Sequence, residues 1–216
     1  MLDVQDIEQL SDLPVRVYHY GYMPHVMKSK DKHTRNLEML KNELQKPDYS
    51  PWIHYHMASE YYNLGNLDIA LKHLNFGILK FVLTGLKPPS MCYRLKYTIL
   101  LQSDQTDTTL VTLDKAIAIY PDYVDLHFMK GLFLFEQKRY SFAEKVFRHC
   151  VHLGESQGGY LTLRGVGSFR AWHGIGLCLE GLGKLKEARA AYECSLSISP
   201  GFTPPLDRLD ALNNAM

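Results

Sequence analysis

The stretch AWHGIGLCLEGLGKLKEARAAYECSLSISP, residues 171–200, decides the fold. Small and large residues alternate in it at helical spacing. Small residues at fixed offsets let two helices approach closely, and large residues fill the space between helices. A glycine between two periodic segments marks the end of the first helix. The stretch therefore predicts a helix–turn–helix unit. Counted from Phe169 as position 1, Trp172 is at position 4, Gly176 at 8, Leu179 at 11, Gly183 at 15, Ala188 at 20, Tyr192 at 24, Ser195 at 27 and Pro200 at 32.

This pattern closely resembles the tetratricopeptide (TPR) repeat, a helix–turn–helix unit of about 34 residues. Weaker copies in the same register begin at about residues 51, 90 and 124. The copy from Ser90 departs from the pattern, because Tyr97 stands at position 8. One unit alone leaves an apolar face exposed to water, so stacking of units makes such an array stable. The sequence predicts an all-α TPR array, an α-α superhelix with capping helices and a short non-helical N-terminal segment.

Spacing between the copies locates two irregularities. Five extra residues lie near 84–89, and eleven lie within the glycine-rich segment 154–168. A long insertion between packed helices indicates a functional or partner-facing segment. Leucine stripes at both ends of the chain predict capping helices that cover the ends of the stack. The predicted units are a non-helical segment or linker at 1–30, a capping helix at 31–50, the array at 51–200 and a second capping helix at 201–216.

The first helix of each unit lines the concave side of a TPR array, with positions 2, 5, 9 and 12 directed into it. In this sequence those positions give an aromatic, mildly polar groove, which suits an extended peptide or a helix of another protein. The basic set with which some TPR proteins grip acidic chaperone tails is missing. The alternative, that extra helices or the array's curvature fill the groove, stays open. The candidate groove residues are Trp52, Tyr55, Tyr62, Arg94, Phe128, Phe135, Arg170, His173 and Glu180.

Composition and charge narrow the function further. The net charge is +1, so bulk electrostatics gives no reason to expect nucleic-acid binding. No run approaches the roughly 20 apolar residues of a membrane-spanning helix. The four cysteines form no CxxC pair, which is typical of reduced thiols in a cytoplasmic protein. No catalytic motif stands out, so this chain by itself is expected to be non-catalytic and to need no cofactor.

One segment does not fit the helical pattern. VRVYHYGYMP, residues 15–24, alternates like a β-strand and ends in Gly and Pro. A lone strand leaves its backbone hydrogen-bonding groups unsatisfied, and the chain offers no convincing second strand. The segment therefore either packs irregularly on the helices or belongs to a sheet that the sequence does not contain.

A second resemblance accounts for that segment. HYGY at 19–22, a Lys-rich step, RNLEMLKNEL at 35–44 and then an array containing GVGSFRAW at 165–172 together resemble the C-terminal part of bacterial family 2 glycosyltransferases with a TPR tail. That resemblance implies a parent enzyme whose DxD motif holds a divalent metal and a nucleotide sugar. His19 takes the place of a histidine that joins the metal site in related enzymes.

The sequence departs from that family at its start. DVQD at residues 3–6 is not a DxD motif, and no nucleotide-binding strands precede Val15. The resemblance therefore implies a severed, non-catalytic tail, in which residues 1–30 are the residual end of a catalytic domain or a linker. His19 would then serve as a metal ligand only together with the missing domain. Such a tail would position a protein or peptide acceptor or mediate homodimerisation. The alternative is a free-standing TPR adaptor that scaffolds protein partners.

Overall fold

The computed structural model describes residues 32–103, 107–156 and 159–214. These residues form ten α-helices and no strand, so the predicted all-α fold class is confirmed. The segment VRVYHYGYMP, with His19, and the whole of 1–30 lie outside the described residues. The helices are α1 (Lys32–Leu44), α2 (Trp52–Asn63), α3 (Leu67–Leu83), α4 (Ser90–Gln102), α5 (Asp107–Ile119), α6 (Val124–Glu136), α7 (Tyr140–Leu153), α8 (Phe169–Gly181), α9 (Leu185–Ile198) and α10 (Pro204–Asn214).

Helices α2 to α9 form four helix pairs, α2 with α3, α4 with α5, α6 with α7 and α8 with α9, and neighbouring pairs pack on one another. Helix α1 packs on α2 and helix α10 packs on α9, so in the part of the chain that the structure describes each end of the stack carries one extra helix. This is a TPR-like array of the predicted kind. No helix in the described ranges combines the length and the apolar character needed to cross a bilayer.

The small residues of the repeat make room for buried rings. A Cβ atom added at Gly176 would overlap the ring of Tyr192, which is fully buried. One repeat earlier, a Cβ atom added at Gly131 would overlap the ring of Phe147. Repeat position 8, in the first helix, therefore contacts the aromatic side chain at repeat position 24, in the second helix. In the second repeat Tyr97 replaces the small residue, and its own ring is buried in the core.

The turn inside each pair needs a left-handed residue. Gly65 has φ +77° and Gly183 has φ +74°, so both glycines end the first helix of their repeat as predicted. Lys138 stands at the same repeat position in the third pair, and its φ is 57°. A side chain is held there in a conformation that glycine adopts without steric cost.

The two end helices are held by different interactions. In α1, His33 Nδ1 lies 2.5 Å from Glu60 Oε2 of α2, and Asn36 donates a hydrogen bond to Glu60 Oε1 at 2.7 Å. The predicted C-terminal stripe consists of Leu206, Leu209 and Leu212. In α10, Leu209 and Leu212 pack in the core of the last two repeats, whereas Leu206 is 44% exposed. The C-terminal end helix is therefore attached by fewer leucines than its sequence stripe suggested.

The ends of the insertion 154–168 touch each other. A Cβ atom at Gly167 would overlap the carbonyl group of Gly154, so the two backbones are in close contact. Glu155 ties them further, because its carboxylate accepts hydrogen bonds from the Gly165 amide at 3.2 Å and the Ser168 hydroxyl at 2.5 Å. The insertion thus leaves and rejoins the stack at one point, and α7 still packs directly on α8.

Candidate functional site: a cleft on the concave face

A cleft of about 460 Å³ lies on the concave face of the first three repeats. Its walls come from the first helix of each of these repeats, α2, α4 and α6, and from the insertion. Most of the lining is apolar or aromatic, with a small group of polar side chains among it. The lining residues are Tyr55, Ser59, Tyr62, Asn63, Arg94, Leu95, Thr98, Leu101, Asp125, Phe128, Met129, Leu132, Leu163 and Val166.

Four of the candidate groove residues meet in this cleft, namely Tyr55, Tyr62, Arg94 and Phe128. They come from three different helices, and the repeat register brings them to one side. Tyr62 also accepts a hydrogen bond from Gln102 at 3.1 Å, which links the first two repeats beside the cleft.

Two other candidates lie outside the cleft lining. Trp52 packs edge-on against Tyr55, with ring centroids 5.8 Å apart, and it is 37% exposed. Phe135 packs against Tyr140 at 5.4 Å and contributes to the core of the last repeats. Trp52 thus extends the aromatic surface of Tyr55, whereas Phe135 has a packing role.

The remaining three candidates belong to the fourth repeat, whose concave face is covered. His173 lies between the rings of Tyr192 and Phe202, each 5.6 Å away, and the Arg170 guanidinium lies 5.1 Å from the Phe202 ring. Glu180 accepts hydrogen bonds from Tyr192 and from Arg208 of α10. The filled-groove alternative therefore describes the fourth repeat, and the open groove describes the first three.

Asp125 stands at position 2 of the third repeat, which the repeat register directs into the groove, and it lines the cleft although it is not among the candidate groove residues. It is 2% exposed, and its Oδ1 accepts a hydrogen bond from the Leu163 amide at 2.9 Å. The Arg94 Nη1 atom lies 3.7 Å from the same oxygen. Its other oxygen, Oδ2, is buried and has no hydrogen-bond partner within the described ranges of the chain. No local signal reveals this arrangement, because Leu163 follows 38 residues later.

The environment of Asp125 favours its neutral form. Burial raises the pKa of the carboxyl group to about 6, against an ordinary value of 3.8. The hydrogen bond from Leu163 and the charge of Arg94 lower the pKa, and the charge of Glu155 raises it, so that burial prevails. A carboxyl group with a raised pKa in a cleft is a feature of many functional sites.

The insertion closes one side of the cleft through residues 159–163, which we call the strap. The Tyr160 ring stacks on Tyr123 with centroids 4.7 Å apart, and its hydroxyl donates to Asp122 Oδ1 at 2.6 Å. The Tyr123 hydroxyl donates to the Leu161 carbonyl at 2.7 Å. These bonds fix the strap across the start of α6, so Leu163 forms a built wall of the cleft rather than a loose loop.

The cleft therefore combines an apolar surface with one pair of oppositely charged side chains. The Arg94 guanidinium, on a side chain 28% exposed, and the Asp125 carboxylate bring opposite charges together. The Ser59 and Thr98 side chains add polar atoms to the lining. Pockets of this composition hold a ligand by apolar contact and orient it by a few polar groups.

Comparison with known proteins agrees with the fold. The tetratricopeptide repeat model matches residues 169–202. A crystal structure of MamA is 17% identical, with a TM-score of 0.62 over 82% of this chain and 88% of that chain. YrrB, a TPR protein with an unusual peptide-binding site, is 14% identical, with a TM-score of 0.64 over 86% of this chain and 88% of that chain.

A third structure, the C-terminal part of a TPR repeat-containing protein from Cytophaga hutchinsonii, is 15% identical, with a TM-score of 0.64 over 88% of this chain and 69% of that chain. No curated protein matches the sequence. At these identities the likeness concerns the fold alone. Residues 169–202 are a tetratricopeptide repeat, and the described chain has the fold of a tetratricopeptide array.

Proposed function

We propose that this protein binds a peptide, or an extended segment of another protein, in the cleft of its first three repeats. The observation that carries the proposal is the cleft itself, with apolar walls around a buried carboxylate and a guanidinium. TPR-like arrays bury their apolar faces by stacking and leave an extended concave surface for partners. The likeness in fold to YrrB, which has a peptide-binding site, supports the same use of the concave face.

Binding is expected in the first three repeats rather than along the whole array. The concave face of the fourth repeat is occupied by Phe202 and by Arg208 of α10. A partner would have to displace those contacts to reach His173 or Glu180. The first three repeats need no such displacement, since their cleft is open to a ligand of several residues.

A cleft-filling substitution tests this proposal. Ser59→Trp places a large ring into the cleft from α2, and Leu83→Trp adds the same ring at a site that is 75% exposed on α3. A phage library of random nonapeptides selected on the wild-type protein should yield clones that bind wild type and Leu83→Trp equally. Ser59→Trp should lose that binding at least tenfold while its circular dichroism stays unchanged. Equal binding to all three proteins would refute the cleft as the binding site.

We infer that the module acts either as the tail of a family 2 glycosyltransferase or as a TPR adaptor of a bacterial cytoplasm. The first setting rests on the ordered resemblance of 19–22, 35–44 and 165–172. In it the divalent metal and nucleotide sugar would bind to the catalytic domain, where His19 would join the metal ligands. The four unpaired cysteines suit the cytoplasm in both settings.

Two measurements separate these settings. An open reading frame that continues upstream into a DxD-bearing α/β domain supports the tail, and a stop codon just ahead of the start supports the adaptor. In either setting this chain alone should be non-catalytic and show no calorimetric binding of UDP-sugars at millimolar concentration. Clear binding would contradict its assignment as a non-catalytic module.

Self-association is a second use that one observation favours. Helix α3 presents a row of exposed apolar side chains, with Phe76 60%, Leu79 53% and Leu83 75% exposed. Exposed apolar rows of this kind mark interaction surfaces. A homodimer through this row should appear by sedimentation equilibrium and dissociate in the double variant Phe76→Ser, Leu83→Ser. A monomer at all concentrations in the wild type would exclude it.

A further inference from the structure

We propose that the cleft selects an Asn or Gln side chain of the bound peptide, whose carboxamide group is held jointly by Asp125 and Arg94. This inference rests on the peptide binding proposed above and names the group that the peptide places in the cleft. It follows from three properties of the site: an unused acceptor, a donor beside it, and the cancellation of their charges.

The acceptor is Asp125 Oδ2. Buried polar atoms in folded proteins nearly always have a hydrogen-bond partner, and leaving one without a partner costs free energy. Oδ1 of the same carboxylate already has the Leu163 amide, whereas Oδ2 has no hydrogen-bond partner among the residues that the structure describes. Asp125 lines the cleft, so a donor group on a ligand that displaces the atoms covering Oδ2 would be the partner that this oxygen lacks.

The donor is the Arg94 guanidinium. Its Nη1 atom lies 3.7 Å from Asp125 Oδ1, which is beyond hydrogen-bond distance. The two side chains are therefore neighbours of opposite charge rather than a bidentate pair, in which two short hydrogen bonds would saturate both groups. A carbonyl oxygen entering between the helices can accept from Arg94 without breaking a hydrogen bond between Arg94 and Asp125.

The two charges together exclude charged ligand groups. A lysine side chain is attracted by Asp125 and repelled by Arg94. A carboxylate group is attracted by Arg94 and repelled by Asp125. A carboxamide group carries no net charge and presents one carbonyl acceptor next to an NH₂ donor, which matches the pair. Specificity then arises from the unfavourable contacts of the competitors as well as from the contacts of the preferred group.

A side chain, rather than the peptide backbone, fits the depth of the site. Asp125 is only 2% exposed, so the ligand atom that reaches it must come from the tip of a narrow group. The methylene groups of Asn or Gln would pass along the apolar lining, which includes Tyr55, Phe128 and Leu132. The peptide backbone would then stay at the mouth of the cleft.

The test uses fluorescein-labelled nonapeptide pools in which the central residue is fixed as Gln, Asn, Glu, Lys or Leu and the other positions are random. Fluorescence polarisation with the wild-type protein should show the Gln or Asn pool binding at least tenfold more tightly than the Glu, Lys and Leu pools. Ser59→Trp, which fills the cleft, should bind none of the pools.

Two variants reverse the preference in opposite directions. Asp125→Asn removes the negative charge and leaves Arg94, so the Glu pool should gain relative to the Gln pool. Arg94→Gln leaves Asp125 as the charged group, so the Lys pool should gain. Asp125→Asn conserves size and Arg94→Gln shortens the side chain, so thermal unfolding of each variant confirms that it is folded before binding is compared.

The outcomes separate this inference from the proposed function. If the pools bind wild type, fail on Ser59→Trp and differ less than twofold among central residues, carboxamide selection is wrong and peptide binding stands. If the Lys or Glu pool binds wild type best, one member of the pair alone reads the ligand and the inference also fails. If no pool binds the wild type, the proposed function itself is refuted, and the inference with it.

Discussion

Arg208 of α10 donates a hydrogen bond from Nε to Oε2 of Glu180 in α8 at 3.1 Å, although the two residues are 28 positions apart. The Tyr192 hydroxyl donates to the same oxygen at 2.7 Å. Burial by itself would raise the pKa of Glu180, but the hydrogen bonds from Arg208 and Tyr192 outweigh it and hold the pKa below its ordinary value of 4.5. The last helix is thus joined to the fourth repeat through a carboxylate in its charged form.

Replacing Arg208 should weaken that junction. Arg208→Met is expected to cost about 1 kcal/mol of unfolding free energy at pH 7, a modest value because the Arg208 side chain is 42% exposed. A carboxyl group whose pKa is lowered by folding stabilises the folded state at pH values above its ordinary pKa. That stabilisation is lost as the pH falls through the folded-state pKa. Urea unfolding from pH 7 down to pH 3.5 should therefore show the wild type losing its advantage over Arg208→Met below about pH 4.5.

The control for that experiment is Arg148→Met. Arg148 pairs with Glu144 one helical turn away on the surface, so its loss should change the unfolding free energy by only a few tenths of a kcal/mol. An equal effect of both substitutions, or no change with pH, would show that the Arg208 contact does not hold α10.

Asp125 should produce the opposite pH dependence. Its pKa is raised from 3.8 to about 6, so between these values the folded state binds the proton that the unfolded state releases. Stability from this group is present below pH 3.8 and falls as pH rises towards 6. The free energy of unfolding of Asp125→Asn is therefore expected to exceed that of the wild type by roughly 2 to 3 kcal/mol at pH 7.5, and this difference should disappear at pH 4.

Thermal and urea unfolding at both pH values measure this difference. Asp114→Asn serves as the control, because the Asp114 side chain is 54% exposed. An excess of Asp125→Asn that is the same at pH 4 and pH 7.5 would contradict the expected sign of the pH dependence. Arg94 and Glu155 should be left unchanged, since both charges act on the Asp125 carboxyl group.

The repeat architecture was predictable because its determinants are local. Gly176 and Tyr192 are close in the chain, and the same offset recurs in Gly131 and Phe147. One packing rule, a small residue facing a ring, therefore reappears wherever the offset does. The glycine turns at Gly65 and Gly183 follow the same logic, since a left-handed residue is required at one fixed place in each pair.

The deepest part of the cleft was not predictable, because its determinants are distant. Leu163 reaches Asp125 across 38 residues, and the same separation joins Tyr160 to Asp122. The insertion that carries both residues has no periodicity to place it. The contact between Arg208 and Glu180 was likewise not predictable. A leucine stripe predicts that a helix packs on its neighbour, but it does not predict which polar side chains of that helix contact the neighbour.

Lys138 offers a stabilising substitution. Its φ of 57° is left-handed, whereas the matching positions of the first and fourth repeats are glycine. Lys138→Gly should raise the unfolding free energy by about 0.5 to 1 kcal/mol, because relief of the strain exceeds the added freedom of the unfolded chain. Gly183→Ala should lower it by about 1 kcal/mol. Guanidinium unfolding measures both, and a destabilised Lys138→Gly would contradict the strain argument.

Gly176→Ala should destabilise in spite of alanine's higher helix propensity. The added methyl group would overlap the Tyr192 ring, which is fully buried and fixed through its hydroxyl to Glu180. Overpacking of this kind costs about 1 to 3 kcal/mol, more than the roughly 1 kcal/mol gained in propensity. Gly201→Ala is the control, since open space surrounds it.

A double variant checks the cause of that loss. Combining Gly176→Ala with Tyr192→Leu removes the ring that the methyl group would strike. The loss of unfolding free energy in the double variant should then be smaller than the sum of the losses in the two single variants, by about 1 kcal/mol or more in a double-mutant cycle. Full additivity would show that the methyl group meets some other neighbour.

The cysteines should differ in reactivity. Burial raises the pKa of Cys92, Cys150 and Cys178 to about 12 each, whereas Cys194 is half-buried. Because the thiolate is the reactive form, Ellman's reagent should modify one thiol in the native protein and four in guanidinium. Cys194→Ser should abolish the native reaction. Native modification of two or more thiols would contradict the packing around the buried three.

The strap changes how the stack would respond to force. A plain row of repeats behaves as a soft spring, since each unit touches only its neighbours and the ends peel away first. Here hydrogen bonds from Tyr160 and Leu163 to Asp122 and Asp125 clamp the segment ahead of α8 to the start of α6. Under tension the last two repeats would therefore extend together in one larger step rather than one after the other.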